Sequence, residues 1–164
     1  MRLFIAVWPN DEMKKAMISV MHEMKKQGIT GNYVPIQNLH MTLVFLGEVK
    51  EAEKVKNVMD QIPVEKAGLS FSDYGNFGDA FWIGIKTNQK MKKYVSDLKK
   101  ALKEQGIPCS DEKFSPHITL IRQQKGKKPS GLVIPDTSMT VNKIVLLKSE
   151  IKDKKTMYKE IYAV

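Results

Sequence analysis

Val34-Pro-Ile-Gln-Asn-Leu-His40-Met-Thr42-Leu-Val-Phe-Leu-Gly47 and Phe114-Ser-Pro-His117-Ile-Thr119-Leu-Ile-Arg122 carry one short pattern twice. In each copy a His, introduced by Leu or Pro, is followed by x-Thr and then apolar residues. The apolar alternation reads as a β-strand, on which residues i and i+2 share a face. Each His therefore looks the same way as its Thr, while Met41, Leu43, Ile118 and Leu120 look the other way. A lone His on a strand is usually a structural hydrogen-bonding residue. Two of the chain's three His in matched settings point instead to one shared site. The third, His22, beside the apolar stripe of a helix, is expected to be exposed and inert.

Working outward, the same order of elements surrounds both copies. Leu3–Val7 is a short apolar run bounded by Pro9 and Asn10, a buried strand. Met13, Ala16, Met17, Val20, Met21 and Met24 then recur at helical spacing, with Asn10 to cap and Gly28 to stop them. A second helix runs from Glu51 to Ile62 and ends at Pro63. In the other half Phe81–Ile85 is an apolar strand. Met91, Tyr94, Val95, Leu98 and Leu102 form a helix face capped by Thr87 or Asn88, and Gly106 and Pro108 close it. From Phe4 to His40 is 36 positions and from Trp82 to His117 is 35, so the repeat is internal. Leu69–Tyr74, Ser138–Leu147 and Met157–Ala163 supply further strands, and Gln123–Ser130 a basic loop at the rim of a groove. The expected architecture is α+β: two similar lobes of sheet, each backed by a helix, within one domain spanning 1–164.

Composition narrows the classes. The 164 residues are 42% hydrophobic, too apolar for disorder and long enough for a sizeable core. No apolar run approaches the ~18–20 residues of a membrane helix, and the N-terminus shows no export signal. The single Cys109 excludes an intramolecular disulfide and a four-Cys zinc site and fits a reducing compartment. The formal charge of +9 favours phosphate-bearing partners without identifying them, and the Lys bias in it suits genome composition equally well.

Two facing imidazoles suit a phosphodiester. One accepts a proton from the attacking oxygen while the other donates to the leaving oxygen, and an ordinary His pKa of about 6.5 permits either state near neutrality. Thr42 and Thr119 can donate hydrogen bonds to non-bridging phosphate oxygens. Arg122, at odd spacing from Thr119, faces away unless a bulge or strand end turns it back, in which case it offers a bidentate phosphate contact. Tyr33, Phe45, Trp82 and Phe114 could stack on a base, although each is also an ordinary core aromatic. A metal site would want a third ligand, and the chain offers no His-Glu-x-x-His helix or Cys-His cluster, so no metal and no cofactor are expected.

The chain resembles the 2H phosphoesterase superfamily, and more closely the RNA 2′,3′-cyclic phosphodiesterases once called 2′-5′ RNA ligases. The resemblance runs through MRLFIAVWP, VPIQNLHMTLVFLGEV, FWIGI and FSPHITLIRQ. It implies a bilobal α+β fold with a central cleft and hydrolysis of a terminal 2′,3′-cyclic phosphate to a 2′-phosphomonoester without metal or nucleotide cofactor. It further implies His40 as proton donor to the leaving ribose oxygen, His117 as the acceptor activating water, and phosphate contacts from Thr42, Thr119 and Arg122. The partner would be RNA or a nucleotide with a cyclic end, met by a cytoplasmic monomer that engages no membrane. Many relatives have Lys where Val44 stands and Arg where Ser115 stands, so contacts from those positions are expected to be missing. The alternatives are ligation of RNA ends by the reverse reaction and a non-catalytic RNA-binding module of the same fold.

Overall fold

The computed structural model describes residues 1–64 and 66–164. The chain runs β1 (Arg2–Val7), α1 (Asp11–Lys26), β2 (Thr30–Tyr33), a 3₁₀ turn (Ile36–Asn38), β3 (Met41–Glu48), α2 (Ala52–Gln61), β4 (Gly68–Phe77) and β5 (Ala80–Lys86). It continues through α3 (Gln89–Glu104), β6 (His117–Lys125), β7 (Ser138–Thr140), β8 (Val145–Lys152) and β9 (Lys155–Ala163). The helices form where the periodicity predicts. The side chains buried on α1 and α3 are the two apolar stripes named above. Asn10 Oδ1 accepts from Met13 N at 2.9 Å, and Asn88 Oδ1 accepts from Met91 N at 3.3 Å, so Asn88 rather than Thr87 caps α3.

The strands form an α+β arrangement whose antiparallel sheet reads β7-β4-β5-β6-β3-β1-β8-β9, with β2 added to β6. Either side of the β6–β3 seam the order is the same: a motif strand, its partner, a third strand and an edge strand. The registers agree too. Thr42 lies opposite Ala6 and Met41 opposite Val7; Thr119 lies opposite Trp82 and Ile118 opposite Ile83. Ala6, not Phe4, therefore occupies the place of Trp82, two residues from the alignment that the sequence suggests. The offset is even, so the face is unchanged.

Strand alternation separates two packed faces. Leu3, Ile5 and Val7 of β1 pack in the main core with the three helices, while Phe4 and Ala6 join Val145 and Leu147 in a smaller cluster on the opposite face. That opposite face is the one carrying the His and Thr of both motifs. Expected as a single strand, Ser138–Leu147 is instead two, because β7 pairs with β4 in one lobe and β8 with β1 in the other, so Val141–Ile144 must cross between them. The rim loop likewise begins later than expected, since β6 continues to Lys125.

Candidate active site

β3 and β6 pair antiparallel with Met41 opposite Ile118. Carried one residue further on each side, that register sets His40 against Thr119 and Thr42 against His117. The two imidazoles are then diagonal neighbours on one face, a separation of roughly 7–8 Å between strand positions. The electrostatics agree: Arg122 and His117 both lie near enough to His40 to oppose a proton there.

The two rings are held alike. His40 Nδ1 is 2.7 Å from the Asn38 carbonyl oxygen, and His117 Nδ1 is 2.6 Å from that of Ser115. A carbonyl only accepts, so each Nδ1 carries a hydrogen and each Nε2 is left for other chemistry. In both motifs the acceptor lies two residues before the ring, where the chain enters its strand. Among the described residues no protein group bonds either Thr hydroxyl, which leaves both for a ligand.

The surroundings differ. His40 sits 5.0 Å from the Phe4 ring and 5.0 Å, edge-on, from Tyr158, with Trp8 at 6.4 Å. Burial among these rings is the main cause that pushes its pKa down to about 4. The charges of Arg122 and His117 add to the effect, and the Asn38 carbonyl opposes it. His117 is flanked by Phe77 at 5.5 Å and Trp82 at 6.1 Å.

The place of Arg122 follows from a bulge. Trp82 pairs with Thr119 but Phe81 with Ile121, so Leu120 is an extra residue in β6. Leu120 and Ile121 are consequently both buried, and the next residue, Arg122, returns to the groove face. The same irregularity occurs in β3, where Ile5 pairs with Val44 and Ala6 with Thr42. Leu43 and Val44 are both buried there, and Phe45 emerges as the counterpart of Arg122, 6.0 Å from Phe4. Val44 is thus 1% exposed and faces the core, so that departure concerns packing rather than substrate contact. Ser115 is used through its carbonyl, whatever its side chain.

Of the other aromatics, Trp82 lies beside His117 with its buried indole N–H unpartnered, and Tyr33 lines the groove while its hydroxyl donates to the Ile29 carbonyl at 2.8 Å. Phe114 packs against the main core instead. His22 is exposed. The sequence reading missed Phe4, Trp8, Phe77, Tyr158 and Asn38 as site neighbours. The first two were open to the period-two rule, since Phe4, Ala6 and Trp8 share a face. Asn38, buried and donating through Nδ2 to the Thr156 carbonyl at 3.0 Å, ties the β8–β9 hairpin to the His40 turn, a contact 118 positions apart that no local pattern announces.

Gly84, opposite His117, admits no side chain. A Cβ there would lie 2.5 Å from Ser72 Oγ and 2.9 Å from the Asp73 carbonyl oxygen, and the Trp82 ring already rests 3.4 Å away. Gly84→Ala is expected to lose about 1–3 kcal/mol through overpacking and to disturb the strand that seats His117. Denaturant midpoints measure the first effect. Unchanged midpoints would mean that the irregular stretch of β4 between Phe71 and Tyr74 gives way.

The solved structures that this fold matches include LigT and other 2H phosphoesterases. No family model matches the chain. Its curated relatives are proteins named RNA 2′,3′-cyclic phosphodiesterase. That of Thermotoga maritima is 29% identical, with 99% of this chain and 94% of the relative covered. That of Archaeoglobus fulgidus is 27% identical, with 98% of each covered. Among solved structures, Escherichia coli LigT in apo form superposes with a TM-score of 0.83 at 26% identity, covering 99% of this chain and 95% of that one. The same protein complexed with 3′-AMP gives 0.81 at 25%, with the same coverage. Among the described residues no helix is long and apolar enough to cross a membrane, and no three His, Cys, Asp or Glu side chains form a metal-binding group.

Proposed function

We propose that the chain is a metal-independent RNA 2′,3′-cyclic phosphodiesterase, a hydrolase that opens a terminal cyclic phosphate to a 2′-phosphomonoester. The names of the curated relatives and the nucleotide complex of LigT support the general activity. One observation carries the mechanism: two His-x-Thr strands paired about Met41 and Ile118, each His with Nδ1 tied to a carbonyl.

In this reading the cyclic phosphate lies between the imidazoles. His117 Nε2 takes a proton from water as the water oxygen bonds to phosphorus. The bond from phosphorus to the ribose 3′ oxygen breaks, and His40 Nε2 gives that oxygen a proton. The products are the 2′-phosphate and a free 3′ hydroxyl, and exchange with solvent resets both rings. Thr42, Thr119 and Arg122 hold the non-bridging oxygens, whose charge grows in the transition state. At neutral pH the free protein keeps His40 mostly unprotonated. Burial is the larger cause of this; a bound anion offsets the smaller repulsion from Arg122 and so shifts His40 toward the imidazolium, the form that can deliver a proton. The protein acts as a cytoplasmic monomer that engages RNA or nucleotide ends.

The test is to incubate the protein with 2′,3′-cyclic mononucleotides, with and without EDTA, and determine which hydroxyl keeps the phosphate. The expected product is the 2′-phosphate in both arms. RNA binding with no product would favour the non-catalytic module, and joining of RNA ends in place of opening would favour the ligase.

A further inference from the structure

A groove opens beside His40, lined in part by the Trp8, Asn38 and Tyr158 that flank its ring. It has a volume of about 1490 Å³ and is lined by Arg122 and Asn32, by Tyr158, and by Lys152, Lys154 and Lys155 of the β8–β9 hairpin. None of these three Lys belongs to an ion pair among the described residues, although Lys152 lies near enough to Glu150, itself paired with Lys148, to favour its charged form. Of the acids lining the groove, Glu160 is engaged by Lys143 and by the Trp8 indole, Asp153 sits at the hairpin tip, and Asp79 lies in the turn between β4 and β5. Lys155 stands three positions, about 10 Å, before Tyr158, whose ring meets His40; the odd spacing puts the two on opposite faces of β9, so Lys155 meets the groove at the strand edge.

The hairpin tip itself argues for a role. Lys152 pairs with Lys155, leaving Asp153 and Lys154 as a two-residue turn with φ of 52° and 63°. Such turns favour Asn and Gly, because a Lys side chain fits poorly with positive φ. Lys154 is thus a cation held at a strained turn position on the groove.

We propose that Lys152, Lys154 and Lys155 form a second binding site, for the internucleotide phosphates of a single-stranded RNA whose cyclic end occupies the His site. The inference rests on the reading under Proposed function and extends it to substrate length. A cyclic phosphate closes the 3′ end of a strand, so the preceding nucleotides leave the site in the 5′ direction, and this basic wall is placed to receive them.

The experiment compares kcat/KM for a 2′,3′-cyclic mononucleotide and for a short RNA with the same cyclic end. It uses the unmodified chain and the triple variant Lys152→Gln, Lys154→Gln, Lys155→Gln. The unmodified chain is expected to prefer the RNA. The triple variant should lose about tenfold of that preference, and its salt dependence should become shallower by about 2 in log–log slope, near 0.7 for each lost phosphate contact. Binding of a fluorescent RNA ending in a 3′-phosphate, which is not turned over, reads the same site without catalysis. Lys154→Gly, which suits the turn while removing a charge, should bind RNA more weakly but melt at a higher temperature. A triple variant that keeps both the preference and the slope overturns the proposal, as does an unmodified chain that binds no RNA. RNA binding that weakens in the variants, in a chain that turns over neither substrate, sustains the hairpin site and removes the catalytic reading instead.

Discussion

His40→Ala and His117→Ala are each expected to lower turnover of a 2′,3′-cyclic nucleotide by roughly 10²–10⁴-fold, the usual contribution of a positioned general acid or base. The two proton transfers serve one substitution at phosphorus, so the double variant should be little slower than the worse single one. The losses should fall on kcat more than on KM, since neither ring holds the phosphate by itself. His40→Ala opens space between Phe4 and Tyr158, and His40→Gln is the companion that keeps more of the volume. Circular dichroism and denaturant midpoints show that the variants remain folded. Wild-type rates in any of them would refute paired acid–base catalysis while leaving the fold untouched.

The second large effect is on stability. In an unfolded chain His40 takes up its proton near pH 6.5, whereas in the folded chain burial delays this to about pH 4. Between those values the unfolded state binds more protons, so stability falls as the pH falls. The contribution is complete above about pH 6.5 and is lost as the pH drops through about 4. The gap between the two values corresponds to up to roughly 3 kcal/mol. Comparing denaturation of the unmodified chain with that of His40→Gln over this range isolates the part due to the ring from that due to carboxylates. Histidine NMR titration supplies the functional half: saturating phosphate should move the His40 midpoint upward, because the anion compensates Arg122. A midpoint unmoved by the ligand would assign the acid role to His117 instead.

Much of this was legible in the sequence, because both helix faces and both motif strands obey simple periods. The Met13–Met24 and Met91–Leu102 stripes mark the buried sides of α1 and α3, and His-x-Thr marks a common strand face. The rule failed one residue beyond each Thr. Strict alternation puts Val44 in the groove and turns Arg122 away, but Leu43 and Leu120 are inserted in the ladder and reverse both outcomes. Two adjacent buried apolar residues after each Thr are the trace of that insertion, equally readable as a strand covered on both faces. The aromatic walls were harder to foresee. Tyr158 reaches His40 only because β8 pairs with β1 and β9 with β8, and such long-range neighbours leave no mark within either segment.

The matched bulges also have a chemical consequence. A scaffold with near two-fold regularity must carry out a reaction whose two ends differ, attack on one side of phosphorus and departure on the other. The third position after each Thr supplies a difference, a cation in one lobe and a phenyl ring in the other. Hydrolysis thereby acquires a direction from side chains alone, on a backbone that repeats itself.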